Sequence, residues 1–561
     1  MDQKLSNINL FQEYKLFLKW IIKNPLYIFH IFLFVLNKIH FKFKKNKKNS
    51  LAFYPRSLQK LIPSFGDYVW PQIDNNKRNL KIDDNIIEIN FAGVIQIYRL
   101  IDNIDFSQDF EDSEVNESLH RFFWLKHLSL NEKWALEQIE LWHQFYRSDF
   151  HDFSKKKNAR WESYTLSERL INIINFLNRI QIPPSRFTQV SIYFQFQYLH
   201  FHLEIHNPYT GNHIINNARA IFYGGHFFKS EKSILFSETI INHYLKQLLG
   251  EDFLLNEGSV HYSFLFFSWL QEIEAFVIND DLKNEIRKIL SKMKISLENL
   301  LVTDSCFPLI GDISPDISPR ELLRQIGLSS NPISKESGDI KRFDSSDFSI
   351  FYRTKNLCQI SRVGHFHQDL LHIVLYFKQI PIFIDCGRKC YHTVPIDHDP
   401  VRAWGHNSVI IKNREVLPYP FLKFPHQYST GVFKAHTRED GLLFQTNHFD
   451  RQASKNFFER RITVNNCYLE IVDQYVENEI FDIFSFFHVS PIFNEIVKDQ
   501  SMILLKSEKL DLIVTSDSDE LTQDDFYHSE EYGHLKQHTR LCLKSRNRSH
   551  KIKIEIKNVR N

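Results

Sequence analysis

The chain has 561 residues, of which 43% are apolar and 14% aromatic, with 51 Phe. That is too long for one ordinary core and too apolar for intrinsic disorder, so two or three domains are expected. Lys plus Arg number 69 against 67 Asp plus Glu, a net charge of +2 that gives no support to a nucleic-acid partner, and six Cys make no disulfide scaffold.

Residues 16–40 are rich in Phe, Ile and Leu, and Lys42, Lys44, Lys45, Lys47 and Lys48 follow. Lys15, Lys19, Lys23 and Pro25 interrupt the start of this segment, and no Ala-x-Ala-like cleavage site follows it, so no cleavable export signal is read here. The apolar run after Pro25 falls short of the ~20 residues a spanning helix needs. A packed helix of the first domain is expected, and a helix held on a membrane surface by the lysines is the alternative.

From about residue 118 to 293 the pattern is helical. Apolar residues recur at three- and four-residue spacing over 130–142, 166–182, 190–205, 214–228, 237–249 and 262–278. Pro183-Pro184, Asn207 to Gly211 and Asn256-Glu257-Gly258 supply turns between them. Successive amphipathic helices with short loops predict helical hairpins, packed as a bundle or closed into a ring.

Residues 327–347 are polar and read as an inter-domain linker. Short runs rich in β-branched and aromatic residues follow at 348–352, 373–377, 382–384, 408–411, 442–445, 458–464, 468–472 and 502–505, and 551–557 alternates like one more strand. These predict an antiparallel β-sandwich. The expected organisation is an N-terminal helical lead over 1–117, a helical domain over 118–326, the linker, and a sandwich over 348–561.

The most chemically loaded stretch is Gly364-His365-Phe366-His367-Gln368-Asp369, followed by Asp385-Cys386-Gly387 and Gly405-His406-Asn407. Residues two apart on a strand share a face, so His365 and His367 project together. One can hold a cation with Asp385 and His406, a set Zn²⁺ accepts, while the other faces a substrate. The plain alternative is that these are ordinary members of a set of 27 His.

Several segments together resemble the heparinase II/III-like polysaccharide lyases. They are Trp161-Glu-Ser-Tyr164 through Arg169 and Asn172, Gly211-Asn212-His213 through Asn217, and Asn256-Glu257-Gly258-Ser259-Val-His261-Tyr262. Pro308-Leu-Ile-Gly311-Asp312 and the His365, His367, Asp385, His406 series complete the set in the family's order. The resemblance implies an incomplete α/α toroid followed by an antiparallel β-sandwich, and cleavage of a uronic-acid-containing polysaccharide by β-elimination.

It further implies that Asn212 and His213 neutralise the substrate carboxylate, that Tyr262 acts as general acid and that His365 serves as base or carboxylate ligand. His367, Asp385 and His406 would hold a structural zinc. Without the resemblance, Asn212 reads as a helix cap and Tyr262 as an aromatic opening an apolar helix. The family often places a second catalytic tyrosine between the zinc aspartate and the His-Asn pair, and Tyr391 is the only tyrosine in that interval. Arg402 stands where an arginine would meet substrate acid groups, with a salt bridge as its alternative reading. Trp161, with Tyr164 and Arg169, lines a sugar subsite or packs the toroid core. Asp369 reads as a solvated strand-end carboxylate. The resemblance also implies action in the periplasm or cell envelope, with a cytoplasmic location as the alternative. A glycan-binding or surface-polysaccharide assembly protein that has lost turnover is the rival reading. A hydrolase ranks last, because no carboxylate pair stands at the motif sites.

Overall fold

The computed structural model describes Leu58, residues 60–61, 63, 70–71 and 86–560. Within the last span, 128–129, 151–157, 206–209, 332–337, 355–364, 392–398, 412–413, 417–430, 451–456, 477–481 and 500–501 lie outside the description. The expected helix at 16–40, its lysine cluster and Gly364 also fall outside the described residues. No described helix is long and apolar enough to cross a membrane.

The described part opens with an antiparallel hairpin, β1 (Ile86–Phe91) and β2 (Val94–Arg99). This departs from the expected helical lead: Ile87, Ile89 and Phe91 alternate as a half-buried strand does. The helices follow as α1 (Ser113–Ser118), α2 (Glu132–Phe145), α3 (Ser163–Ile180), α4 (Arg186–Phe201) and α5 (His213–Phe227). Then come α6 (Glu231–Leu248), α7 (Val260–Phe276), α8 (Asp280–Leu300) and α9 (Pro319–Ile326). Side-chain caps start most of them: Ser185, Ser230, Ser259, Asn279 and Ser318 each accept the backbone N–H three residues on. Pro319 opens α9 and Gly327, at φ +64°, closes it.

Helices α3, α5 and α7 are buried along most of their length and pack on one another, while α2, α4, α6 and α8 lie against them. The sequence accounts for this layering. The α7 run Phe264-Leu-Phe-Phe-Ser-Trp-Leu270 is apolar on all sides, whereas α8 carries charge on its outer face.

Eighteen strands form the described sheets. The first of the C-terminal sheets has the order β3 (Ile340–Ser345), β4 (Phe348–Arg353), β5 (Ile373–Phe377) and β6 (Ile380–Phe383). It is shared between two cores. Phe351, Val374 and Tyr376 face the helices, and Ile350, Tyr352, Ile373 and Leu375 face the sandwich. Burial on both faces is why β5 reads Ile-Val-Leu-Tyr-Phe without a polar break. β3 lies inside the stretch expected as linker, since its register with β4 is complete from Ile340 to Ser345.

The remaining strands are β7 (Val409–Ile411), β8 (Phe433–Arg438), β9 (Gly441–Thr446), β10 (Phe458–Val464), β11 (Tyr468–Tyr475) and β12 (Ile483–His488). After them come β13 (Glu495–Asp499), β14 (Met502–Lys506), β15 (Leu510–Ser516), β16 (Glu520–Glu531), β17 (His534–Ser545) and β18 (Ser549–Val559). An eight-stranded sheet runs β13-β14-β15-β18-β11-β10-β9-β8, and a four-stranded sheet runs β16-β17-β12-β7, with antiparallel pairing throughout. The architecture is the expected one, a helical toroid followed by an antiparallel sandwich.

The two halves are laced together. The Tyr532 hydroxyl donates to Asp112 at 2.7 Å, and Gly93 and Gly533 touch where the β1–β2 and β16–β17 turns meet. A Cβ on either glycine would lie within 2.7 Å of the other's backbone.

Candidate active site

A cavity of about 260 Å³ opens where helices and sheets meet, and Tyr164, His213, Tyr262, Asp316, His365 and Tyr391 stand in its wall. Three loops build it. Ser259 caps α7 by accepting the Tyr262 N–H at 3.1 Å, while its hydroxyl donates to the Asp312 carbonyl at 2.6 Å. The His365 N–H donates to the Glu257 carbonyl at 2.9 Å, and the Asp312 N–H to the His365 carbonyl at 3.2 Å. Gly258 and Gly311, at φ +85° and +82°, allow this approach, since a Cβ on Gly311 would meet the Gly258 carbonyl at 2.3 Å. As a result, Tyr262 and His365 stack with ring centroids 3.6 Å apart and planes 10° from parallel.

Asp312 is the hub of the site. Its carboxylate accepts from His365 Nδ1 at 3.0 Å, His367 Nε2 at 2.7 Å, the Tyr391 hydroxyl at 2.8 Å and Arg388 at 3.2 Å. Burial alone would raise its pKa, but Arg388 and the two histidines hold the carboxyl well below the usual range. With the His365 proton directed to Asp312, Nε2 is the ring's remaining basic atom, 3.6 Å from Glu257. Burial, reinforced by neighbouring carboxylates, keeps the phenols of Tyr262 and Tyr391 well above their ordinary pKa. Both are therefore proton donors at neutral pH.

His367, Asp385 and His406 lie behind His365, fully buried, each offering a ligand atom within 4.8 Å of the others. His367 Nδ1 and His406 Nε2 have no hydrogen-bond partner, which fits a metal ion at this point. Asp385 is held by the Gly387 N–H at 2.8 Å and by His406 Nδ1 at 3.0 Å. His372, which the sequence reading passed over, accepts the Asn407 N–H on Nδ1 at 2.9 Å. Its proton is therefore on Nε2, 2.9 Å from Asp385. Asn407 clamps the surrounding strands, donating to Ile373 and Ile384 and accepting from His488.

On the helical side, the His213 ring lies 4.6 Å from that of Tyr164, tilted by 36°, and bonds to Glu204. Burial opposes its charge, yet Glu204 and Glu162 outweigh burial and raise its pKa, so the ring is cationic at neutral pH. Burial and the proximity of Glu204 push Glu162 well above the usual carboxyl range. Asn212 occupies the cap position of α5, but its side chain makes no cap bond and its Nδ2 is buried without an acceptor. Its backbone N–H donates to Glu257 at 2.7 Å.

Trp161 and Arg402 follow the second of their two expected readings, not substrate binding, and Asp369 departs from its own. Trp161 does not face the cavity: it is 3% exposed, donates to Asp149 at 2.7 Å and packs on Tyr198. Arg402 is likewise buried and pairs with Glu415 through Nε and Nη2. Asp369 is not solvated but forms a two-pronged pair with Arg353 at 2.9 and 2.7 Å. Arg169, read together with Trp161 and Tyr164, sits in the toroid core under Trp142.

The sequence reading missed the acidic side of the cavity. Glu114, Glu117 and Asp316 converge on Arg121 at 3.0, 2.6 and 2.7 Å, and Tyr164 donates to Asp316 at 2.7 Å. The Glu114, Glu117, Arg121 spacing of three and four residues was the available signal.

A family profile described as "Heparinase II/III-like, C-terminal" matches residues 331–557. No curated protein sequence matches the chain. Among solved structures, a heparinase III superposes with TM-score 0.60 at 14% identity, over 82% of this chain and 81% of that one. The heparinase III BT4657 gene product gives TM-score 0.55 at 15% identity over 82% of both chains. A mutant of heparan sulfate lyase HepC from Pedobacter heparinus gives 0.52 at 14%, over 83% of this chain and 80% of that one. At such identities the likeness speaks for the fold. Residues 331–557 thus match the heparinase II/III-like C-terminal profile, and the chain as a whole has a toroid-plus-sandwich fold like that of heparinase III.

Proposed function

We propose that the chain is a polysaccharide lyase that cleaves a uronic-acid-containing glycan by β-elimination. The stack of Tyr262 on His365, beside Tyr391 and above Asp312, carries this reading. β-Elimination needs a base at C5, an acid at the 4-oxygen, and donors that stabilise the enolate-like anion between them.

Each requirement finds a residue. His365 Nε2 takes the C5 proton, and the Asp312 carboxylate stabilises the imidazolium that results. Cationic His213 and the unpartnered Asn212 amide neutralise the uronate carboxylate. The Tyr262 phenol, kept protonated by burial, delivers a proton to O4 as the C4–O bond breaks and the C4–C5 double bond forms. Tyr391 is held by Asp312 and Arg388 within reach of Tyr262 as a second donor.

His367, Asp385 and His406 form an N/O set suited to Zn²⁺. When bound, such an ion would be structural, fixing the His367 imidazole that shares Asp312 with His365. The family resemblance supports action in the periplasm or cell envelope, with a cytoplasmic location as the alternative.

The second reading, a glycan binder without turnover, draws support from one observation. Asn212 is 2% exposed and absent from the cavity wall. A panel of uronate polymers, followed by ultraviolet absorbance and by reducing-end release, separates the readings. A lyase gives both signals, a hydrolase reducing ends alone, and a binder neither.

A further inference from the structure

We propose that the sandwich holds a second metal site, built from Cys386, His488 and His538, that binds one zinc-type divalent cation. This site shares no ligand with the His367, Asp385, His406 set and has no part in the proposed elimination.

The sheet register brings the three residues together. β12 pairs with β17 so that His488 stands opposite Arg540, which makes His538 its diagonal neighbour on the same face. The segment after β6 runs alongside, with the Ile384 N–H donating to the His488 carbonyl at 2.9 Å, and it delivers Cys386 to the pair. All three residues are buried, at 1%, 0% and 5% exposure, and Phe526 packs on both imidazoles.

Their atoms converge on one point. Cys386 Sγ is 3.2 Å from His488 Nδ1 and 4.0 Å from His538 Nε2, and the two nitrogens are 2.9 Å apart. A triangle with these sides has its centre about 2.0 Å from every corner, close to the distances at which Zn²⁺ holds nitrogen and sulfur.

Protons alone leave the cluster in conflict. His488 Nε2 donates to the Trp404 carbonyl at 2.7 Å, so Nδ1 carries a lone pair. If His538 is protonated on Nε2, that N–H and the Cys386 thiol compete for this single acceptor. If it is protonated on Nδ1, two lone pairs face each other at 2.9 Å, and the buried Nδ1–H has no acceptor. A cation accepting both imidazole lone pairs and the thiolate removes the conflict where they meet. Binding exchanges the thiol proton, released to solvent, for the metal–sulfur bond. Burial already holds both imidazoles uncharged, the form a metal requires. The nearest fixed cation, Arg540, is neutralised by Asp524 at 3.0 Å.

The donor sets differ in a way that a spectrum reads. Only the second site contains sulfur, so full-length protein stripped by a chelator and titrated with Co²⁺ should develop a thiolate-to-cobalt charge-transfer band in the near ultraviolet. The band should vanish in Cys386→Ser and His538→Gln, and in Asp385→Asn, which removes a ligand of the other set, it should persist and saturate at one cobalt per chain. A stripped, folded wild-type chain that takes up Co²⁺ without this band would overturn the site, and so would a band that survives in Cys386→Ser. The wild-type titration decides the matter even if the variants fail to fold.

Discussion

The Tyr262 phenol and the His365 imidazole lie face to face, 3.6 Å between ring centroids, although 103 positions separate them in the chain. One comes from the first turn of a toroid helix and the other from the sheet half. Asp312, on a third segment, fixes the imidazole. The stack places a proton donor and a proton acceptor side by side at the wall of one cavity.

His365→Ala should remove the base while leaving the cavity walls in place. The expected loss in kcat is about 10²–10⁴-fold with KM changed far less. Steady-state kinetics on a uronate polymer checks this, and an equal loss in KM would mean that His365 binds substrate instead.

Glu117 sets a pH dependence. Burial raises its carboxyl, Arg121 opposes, and Glu114 adds to the rise, leaving its pKa pushed up to about 7. Below that value the side chain is neutral; as pH rises through it, the cavity gains a negative charge. KM for an anionic glycan should therefore increase between about pH 6 and 8, and Glu117→Gln should flatten the curve. The same sign applies to folding, because a carboxyl with a raised native pKa contributes stability that is lost as pH climbs through that pKa.

Asp369→Ala should destabilise the fold by about 3 kcal/mol, since it strips one carboxylate from the buried Arg353 guanidinium. Arg353 also donates to the Gly258 carbonyl at 2.9 Å, so the loss reaches the loop that leads into Tyr262. Denaturant unfolding followed by circular dichroism measures the effect.

Gly311→Ala should cost both stability and activity. The new Cβ would sit 2.3 Å from the Gly258 carbonyl at a φ of +82°, so the loops carrying Ser259, Asp312 and His365 must separate. Expected are a lower unfolding midpoint and a kcat reduced well beyond what unfolding explains at assay temperature.

Local patterns made much of this architecture legible. Three- and four-residue periodicity marked α3 through α7, and the strands at 373–377 and 458–464 stand where β-branched and aromatic runs predict them. Reading failed where burial, not periodicity, decides. Trp161 reads in sequence as either a sugar platform or a core residue, and only burial in space decides for the core. The hairpin at 86–99 was hidden by its short length, and β16 and β17 by their many polar residues. The hub role of Asp312 was out of reach for a plainer reason: its partners His365, His367, Arg388 and Tyr391 lie 53 to 79 residues away. Cys386 lies 102 and 152 positions from His488 and His538, and the two histidines meet only through the β12–β17 register.

The most direct test compares wild-type and Tyr262→Phe protein on a uronate polymer, recording the initial rise in absorbance from the unsaturated product. Removing one hydroxyl keeps the ring stacked on His365 but takes away the acid. A wild-type rise that falls by about 10²–10⁴-fold in the variant is the predicted result. Equal rates in the two proteins, or no rise with any uronate polymer, would contradict the account.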